Sequence, residues 1–229
     1  MPDDDPLIES QIEYYRARAP EYDEWFHRRG RYDRGEELNR RWFDEAAEVR
    51  RALEKSRPGG HILELASGTG LWTVHLAPRA AKLVTVDISA ESIAINRNAV
   101  ANGRVEYIQA DIFDWQPPGE FDYIFFAFWL SHVPASRFDG FWQMIEAATA
   151  PGGRVFFIDS LKTDKSTAHD HTAPENTGRA TRKLNDGRQF EIIKIFYDPP
   201  RLEKDLRDRG WHGHVRTTDN FFMYGLFER

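Results

Sequence analysis

Apolar runs short enough for strands alternate with segments of helical periodicity over the middle of the chain. This order predicts parallel βαβ units, because parallel strands need a crossover between them. The predicted strands span residues 61–66, 82–87, 104–108, 121–127 and 152–159, and the predicted helices span 71–77, 90–101 and 135–149.

Helical patterns also precede the first strand. Residues 7–18 and 20–27 predict two short helices. An Arg/Gly-rich loop is expected over 27–34, most simply a solvated one, although its arginines could contact a phosphate-bearing ligand. Residues 36–55 predict a long amphipathic helix with one apolar stripe. The segment from 58 to 60, Pro-Gly-Gly, ends this helix and leads into the first strand.

After residue 160 the alternation stops. The polar stretch 161–178 is expected to be a mobile loop, and residues 185–187, Asn-Asp-Gly, predict the turn of a β-hairpin. We therefore predict an α/β fold: a Rossmann-like, doubly wound, seven-stranded and mostly parallel sheet with an inserted β-hairpin and an N-terminal helical lid. The hairpin strands are expected at 181–184 and 188–196, a helix at 198–209, and two closing antiparallel strands at 211–218 and 221–227.

Length and composition set further limits. The 229 residues are enough for one core, so a single domain over 1–229 is expected. The net charge of −6 argues against nucleic acid as a partner, and no apolar run is long enough for a membrane span. The acidic start lacks the pattern of a signal peptide, and with no cysteine the chain cannot use thiolates, so a cytoplasmic location is expected. The parts expected in this single domain are a lid (1–57), a cofactor-binding core (58–160), a substrate-side loop and hairpin (161–197) and a closing unit (198–229).

A glycine turn follows the first predicted strand. Glu64 stands before it, and Gly68 and Gly70 begin a G-x-G-x-x-G pattern whose third position is Thr73. A dinucleotide fingerprint has glycine there, and a carboxylate before the turn would repel a pyrophosphate. The turn therefore favours a ligand with a cationic part over a dinucleotide.

Two more acids stand at predicted strand ends. Asp87 can accept hydrogen bonds from both hydroxyls of a ribose, and Asp111-Ile112 offers a carboxylate and an apolar side chain to an adenine. The alternative is that these acids only cap helices or lie on the surface. Together with the turn, they indicate an adenosine-containing ligand.

The turn resembles the first motif of the class I S-adenosylmethionine (SAM)-dependent methyltransferases, E/D-x-G-x-G-x-G, with Ala66 in place of its first glycine. Residues 7–23 are similar to the lid of small-molecule methyltransferases. Residues 125–134 and 184–196 are similar to segments of the dehydrophos phosphonate O-methyltransferase subgroup. The resemblance implies SAM as cofactor, with S-adenosylhomocysteine (SAH) as product, and assigns to it Glu64, Ala66, Gly68, Asp87, Asp111, Ile112 and Phe128. The predicted cofactor-binding set also includes Tyr22, Ser67, Gly70, Trp72 and Ile88.

His132 follows the fourth predicted strand and is the candidate catalytic residue. Its neutral imidazole could take a proton from an acceptor hydroxyl. With an anionic acceptor no base is needed, and His132 would orient an oxygen. A histidine that only caps the next helix is the plainer alternative.

The hairpin carries several cations. Arg188, Phe190, Ile192 and Lys194 share one strand face by the two-residue period, and Arg182 lies on the facing strand. Lysine in an apolar run needs a partner, although an edge-strand lysine that prevents aggregation would look the same. An anionic acceptor would suit these cations.

The lid carries aromatic side chains at positions 14, 15, 22 and 25 that can cover a sulfonium, shape an acceptor pocket or simply pack between helices. The stretch 169–171, His-Asp-His, has no second ligand cluster, so no metal is expected. The predicted substrate-binding residues are Tyr14, Trp25, His132, Arg182 and Lys194.

The expected function is transfer of a methyl group from SAM to a small acceptor, by O-methylation of an anionic phosphonate or carboxylate or of a hydroxyl. An N- or C-methyltransferase, an NAD-dependent oxidoreductase and a SAM-binding module without activity are the alternatives. Neither a nucleic-acid partner nor a membrane partner is expected, and the oligomeric state stays open.

Overall fold

The computed structural model of the protein describes residues 5–171 and 178–229. Nine strands lie in this part of the chain: β1 (Gly60–Leu65), β2 (Ala80–Asp87), β3 (Val105–Gln109), β4 (Phe121–Ala127), β5 (Thr149–Ser160), β6 (Arg179–Lys183), β7 (Gln189–Ile193), β8 (His212–Thr217) and β9 (Phe222–Glu228). Seven of them form one sheet in the order β3-β2-β1-β4-β5-β9-β8, in which β1 to β5 are parallel and β9 and β8 antiparallel. The predicted Rossmann-like fold class is confirmed.

The helices of the described residues are α1 (Asp5–Arg18), α2 (Tyr22–Phe26), α3 (Glu36–Lys55), α4 (Thr73–Leu76), α5 (Ala90–Val100), α6 (Phe138–Ala148) and α7 (Pro199–Asp208). The apolar stripe predicted on α3 is buried through Trp42, Ala46, Val49 and Leu53. A helix with one apolar face needs such a partner surface. None of the described helices is both long and apolar enough to cross a membrane.

The two faces of the sheet pack against separate cores, because successive strand residues point to opposite sides. On β4, Phe126 belongs to the core with α6 and α7 and stacks on Phe157 with ring centroids 5.5 Å apart. Its neighbour Phe125 belongs to the core with α3 and stacks on Phe156 at 6.2 Å. The sheet is therefore buried on both faces, and its strand ends are left as the place for a ligand.

The hairpin of β6 and β7 is a separate two-stranded sheet held against α1. Ser10 Oγ donates to Glu191 O at 2.8 Å, and the backbone N–H of Ile193 donates to Gln11 Oε1 at 3.1 Å. Ile195 N donates to Ser131 O at 2.8 Å in the loop after β4. The hairpin and α1 are thus fixed to each other and to the carboxyl end of the sheet.

Three helix predictions differ from the structure at their ends. The helix predicted over 20–27 is a 3-10 turn, Ala19–Glu21, followed by the short α2. The helix predicted over 71–77 is only α4. The helix predicted over 135–149 begins at Phe138 after another 3-10 turn, and Thr149 already starts β5 because it pairs with Phe121 of β4.

The Arg-rich stretch 27–34 is not the solvated loop that the sequence favoured. Arg28 is buried and donates to the carbonyls of Lys165 at 2.9 Å and Ser166 at 3.2 Å. Arg34 donates to Thr167 O at 2.8 Å, and Arg31 to Lys183 O. We call Arg28, Arg31 and Arg34 the arginine clasp. It ties the first part of the predicted mobile loop 161–178 to the lid, while residues 172–177 lie outside the described part.

Candidate functional site

The turn after β1 has three residues with left-handed backbone: Ala66 (φ 51°), Gly68 (φ 53°) and Gly70 (φ 96°). A Cβ at Gly70 would lie 2.8 Å from Asn96 Oδ1, so glycine is needed there to let α5 approach. Ala66 adopts a conformation that costs an alanine about 1–2 kcal/mol. The chain is therefore strained at the position where it departs from the family's glycine.

Asp87 ends β2 beside this turn and is buried. Its Oδ2 accepts from Gly68 N at 2.8 Å and its Oδ1 from Ser89 N at 2.9 Å. Burial raises the pKa of Asp87, and these backbone donors partly offset that effect. The carboxylate thereby joins the glycine turn to the start of α5.

A large cleft of about 730 Å³ opens at the carboxyl ends of β1, β2, β3 and β4. It is mostly apolar and carries carboxylates from two successive strand ends, whose oxygens can accept hydrogen bonds from an adenosine. The predicted cofactor residues that line it are Tyr22, Ala66, Gly68, Asp87, Ile88, Asp111, Ile112 and Phe128.

A smaller recess of about 310 Å³ shares Tyr22 and Phe128 with the large cleft and contains Glu64, Ser67 and Trp72. Burial raises the pKa of Glu64 to about 8, opposed by a hydrogen bond with the Thr73 side chain. Glu64 Oε2, Ser67 Oγ and Trp72 Nε1 have no hydrogen-bond partner among the described residues. A buried carboxylate oxygen without a partner fits the cationic end of a ligand.

The predicted cofactor residue that lines neither space is Gly70, which packs against Asn96 behind the turn. It shapes the backbone of the turn without facing a cavity.

A second cleft of about 560 Å³, here called the cationic cleft, lies between α1, the rest of the lid and the hairpin. It is lined by three buried cationic side chains, Arg18, Arg182 and Lys194. Arg182 donates only to Thr181 O, at 3.1 Å, within the described residues, and Arg18 Nη2 to the Tyr32 hydroxyl at 3.4 Å. Burial lowers the pKa of Arg182. Buried cations without carboxylate partners create a strong preference for an anion.

Lys194 has an internal partner. Its Nζ donates to Ser131 Oγ at 2.8 Å and lies 3.6 Å from Asp159 Oδ1. Burial lowers the pKa of Lys194, and Asp159 opposes that change. Asp159 is itself fully buried at the end of β5. Lys194 therefore stands at the cleft with one carboxylate partner, which also accepts from two backbone N–H groups.

His132 is buried where the two clefts meet. Its Nδ1 lies 2.6 Å from Ile193 O and its Nε2 lies 2.8 Å from the Tyr15 hydroxyl. Burial, and then the charge of Lys194, lower the pKa of His132 well below its usual value, so the ring is neutral. Both ring nitrogens are thus engaged by protein groups.

The two clefts share one wall, which we call the junction: Tyr15, Tyr22, Phe128 and His132 line both. A group that passes from one cleft to the other must pass these side chains.

The structure also places the remaining predicted substrate residues. Trp25 lines the cationic cleft, donates to Ser166 O at 2.8 Å and packs edge-on against Phe128. Tyr14 lines neither cleft and packs with Ala180, Leu184 and Ile192 under the hairpin. Since residues one apart on a helix point about 100° apart, α1 turns Tyr15 to the junction in its place.

The expectation that Arg188 shares the face of Lys194 over the cleft is wrong. Arg188 is exposed, lies outside β7 and pairs with Asp186 at 2.8 Å. It belongs to the turn, because a carboxylate two residues away holds its guanidinium.

Several site residues were missed in the sequence. Asp159 stands at the carboxyl end of a predicted strand, the same position as Asp87, so that signal was available. Arg18 and Gln11 carried none, because their role depends on the hairpin that packs against α1. Tyr32 and His171 also line the cationic cleft.

The stretch 169–171 holds its side chains in protein contacts. His169 Nε2 lies 2.6 Å from Asp33 O, and Asp170 pairs with Arg31 at 3.4 Å. Among the residues that the structure describes, no group of three or more candidate ligands is arranged to hold a metal ion.

Comparison with known proteins gives these features a family. The profile of a family described as Methyltransferase domain matches residues 62–153, which contain the glycine turn and the strand-end acids. A solved structure, the DhpI–SAM–HEP complex, is 39% identical over 97% of this chain and 98% of that chain, with a TM-score of 0.80. The DhpI–SAH complex is 38% identical over 96% of both chains, with a TM-score of 0.79.

A curated relative, the ubiquinone biosynthesis O-methyltransferase of Idiomarina loihiensis, is 28% identical over 147 residues, which cover 56% of this chain and 59% of the relative. The chain thus spans less than two thirds of that relative's length. The N-methyltransferase NodS of Bradyrhizobium japonicum is 15% identical with a TM-score of 0.58, a likeness of fold alone.

Proposed function

The chain belongs to the class I SAM-dependent methyltransferases, and from this premise we propose that it methylates an oxygen of a small anionic acceptor, a phosphonate or a carboxylate. SAM is its cofactor, and when bound it supplies an electrophilic methyl group.

We propose that the cofactor occupies the large cleft and the recess. The raised pKa and unpartnered oxygen of Glu64 support contact with the cationic methionine end. Asp87 and Asp111 line the part of the cleft that suits the ribose and the adenine. In this arrangement the reacting end of the cofactor lies at the junction, where Tyr22 and Phe128 exclude water.

The observation that carries the acceptor class is the charge of the cationic cleft. Arg18, Arg182 and Lys194 are all less than 10% exposed, and within the described residues the only carboxylate near them is Asp159, which is shared with backbone donors. An anionic acceptor would complete this balance, whereas an amine would add a fourth positive charge. Binding in a fixed geometry is the main contribution a protein makes to such a transfer.

The relatives support oxygen as the methylated atom. The curated relative is named as an O-methyltransferase. The N- and C-methylation alternatives have no comparable support in the charge of the cleft. The NAD-dependent alternative is set aside by membership of the methyltransferase family.

The test is formation of SAH from SAM with ethylphosphonate, propionate, ethanol and ethylamine as acceptors. We expect turnover with ethylphosphonate or propionate and none with ethylamine. Arg182→Gln should lower kcat/KM for the anion at least tenfold, because a buried charged contact contributes about 1.5–3 kcal/mol. Arg188→Gln, which changes an exposed cation of the same hairpin, should leave it unchanged.

Turnover of ethylamine but of no anion would overturn the proposal. SAH binding without turnover of any acceptor would favour a SAM-binding module without activity.

A further inference from the structure

The hydrogen bonds of His132 fix where its protons are. Ile193 O is a carbonyl and can only accept, so the ring nitrogen at 2.6 Å from it, Nδ1, carries a hydrogen. In the neutral ring Nε2 then has a lone pair, and the Tyr15 hydroxyl at 2.8 Å donates to it. The hydroxyl proton of Tyr15 is therefore committed to His132.

This polarity matters at the junction, because Tyr15 lines both clefts. With its proton turned to His132, the Tyr15 oxygen offers only lone pairs to a ligand. An anionic oxygen next to it would be repelled. If Nε2 gains a proton, it donates to the Tyr15 oxygen, and the Tyr15 hydroxyl becomes free to donate to the anion.

We propose that Tyr15 contacts the reacting oxygen of the acceptor, and that His132, acting through Tyr15, takes up one proton when an anionic acceptor binds. This inference rests on the proposed function, since it needs an anion in the cationic cleft. Tyr15 is then a catalytic residue and His132 a positioning residue.

The charges around His132 support the uptake. Lys194 and Arg182 face it from the hairpin and Arg18 from α1, and together with burial they hold its pKa well below the usual range. Asp159 on β5 pairs with Lys194 at 3.6 Å and accepts from Ser131 N beside His132, and Asp87 and Asp111 line the same large cleft. An anion bound among the three cations offsets their charge and so raises the pKa of His132 again.

Hydrogen bonds from α1 hold the backbone around His132 in place. Gln11, one turn before Tyr15 on α1, donates to His132 O at 3.2 Å and accepts from Ile193 N at 3.1 Å. α1 therefore binds both His132 and Ile193, the residue whose carbonyl accepts from the imidazole. A charged ring would keep its Nδ1–H bond to Ile193 O, which strengthens with charge.

The chemistry balances without a base. The anionic oxygen forms the new O–C bond as the C–S bond breaks, and the bonding pair leaves on sulfur. The proton stays on His132 during transfer. The methylated product has one negative charge fewer, so the proton returns to solvent when the product leaves.

The test is calorimetry with SAH-saturated protein and ethanesulfonate, an anion that cannot itself be protonated near neutral pH. Titrations at pH 7.5 in buffers of different ionisation enthalpy count the protons. We expect uptake of about one proton per site, and uptake near zero in Tyr15→Phe and in His132→Asn. Tyr14→Phe, the neighbouring buried tyrosine outside both clefts, should behave as the wild type.

Binding of ethanesulfonate without proton uptake would overturn this inference and leave the proposed function standing. Uptake that persists in Tyr15→Phe and His132→Asn would place the proton on another group and overturn it too. No binding at millimolar concentration would remove the anionic acceptor site and this inference with it.

Discussion

The ammonium group of Lys194 lies 3.6 Å from Asp159 Oδ1, and both side chains are buried. The two partners are unequally supported. Asp159 also accepts from the backbone N–H groups of Ser131 at 2.8 Å and Ser160 at 2.7 Å. Besides Asp159, Lys194 Nζ has only the hydroxyl of Ser131 as a hydrogen-bond partner among the described residues, and it lies over the Phe196 ring at 5.4 Å.

This inequality predicts the outcome of removing each partner. Asp159→Asn leaves a buried lysine without a counter-ion and should lower the free energy of unfolding by about 3–5 kcal/mol. Lys194→Met leaves Asp159 with its two backbone donors. This variant should therefore lose less free energy of unfolding than Asp159→Asn, by about 1 kcal/mol or more. Urea unfolding at pH 7 measures both.

Glu106→Gln is the control for these variants, because it breaks the exposed pair with Lys82 at 2.7 Å and should cost less than about 1 kcal/mol. Equal losses for Asp159→Asn and Lys194→Met would contradict the unequal support of the pair.

Glu64 should make cofactor binding depend on pH. Its pKa is raised to about 8 in the free protein, and a cationic ligand group binds its charged form. SAH affinity should therefore rise with pH up to about 8 and then level off, with release of a proton on binding. Calorimetry from pH 6 to 9 tests this, and Glu64→Gln should flatten the profile.

The raised pKa of Glu64 also predicts how stability depends on pH. A carboxyl whose pKa is raised on folding adds stability that is present below its unfolded pKa and lost as pH rises through about 8. A tenfold change in an acid dissociation constant on folding corresponds to about 1.4 kcal/mol. Glu64→Gln should thus gain stability relative to the wild type at pH 9 but not at pH 4. Equal differences at both pH values would argue against a raised pKa at Glu64.

Ala66 tests the backbone of the glycine turn. At φ 51°, Ala66→Val should cost about 1–2 kcal/mol of stability and weaken SAH binding, because a β-branched residue fits this region poorly. Ala66→Gly should keep SAH binding and stability within about 1 kcal/mol. Thermal unfolding and calorimetry give the two readouts.

Ala101 is the matched control, since it has a similar φ of 44° but caps α5 away from the clefts. Ala101→Val should cost similar stability without any effect on SAH. A loss of SAH affinity there would show that strain alone, at any position, disturbs the site.

The arginine clasp predicts a local change. Arg28 donates to the carbonyls of Lys165 and Ser166 and lies over the Trp42 ring at 4.8 Å. Arg28→Met should lower protection from hydrogen exchange in residues 163–170 by about tenfold, as expected for loss of about 1.4 kcal/mol of local stability. Arg29→Met, an exposed neighbour, should leave the exchange unchanged.

The sheet was predictable because the apolar runs of β1, β2 and β4 are bounded by glycines and strand-end acids. The hairpin was predictable because residues 185–187 form a typical turn sequence and Gly187 has φ 92°. The ends of α4 and α6 were not, since helix boundaries depend on contacts such as Thr149 with Phe121.

The acceptor side was harder to predict. No local pattern tells which of Tyr14 and Tyr15 faces the junction, because both lie on a helix covered on more than one side. Likewise, the protonation of His132 depends on a carbonyl 61 residues away. Long-range partners of this kind leave no signal in a single sequence.

The junction bears on which parts of the chain could be exchanged to change the preferred acceptor. The walls of the large cleft come mainly from residues 62–153, the stretch that matches the family profile, whereas the cationic cleft is lined mainly by α1, α2, the segment 160–171 and the hairpin outside it. The two halves meet at four side chains. From the proposed function we therefore expect that grafting the lid and hairpin together would change acceptor preference, while residues 62–153 stay unchanged.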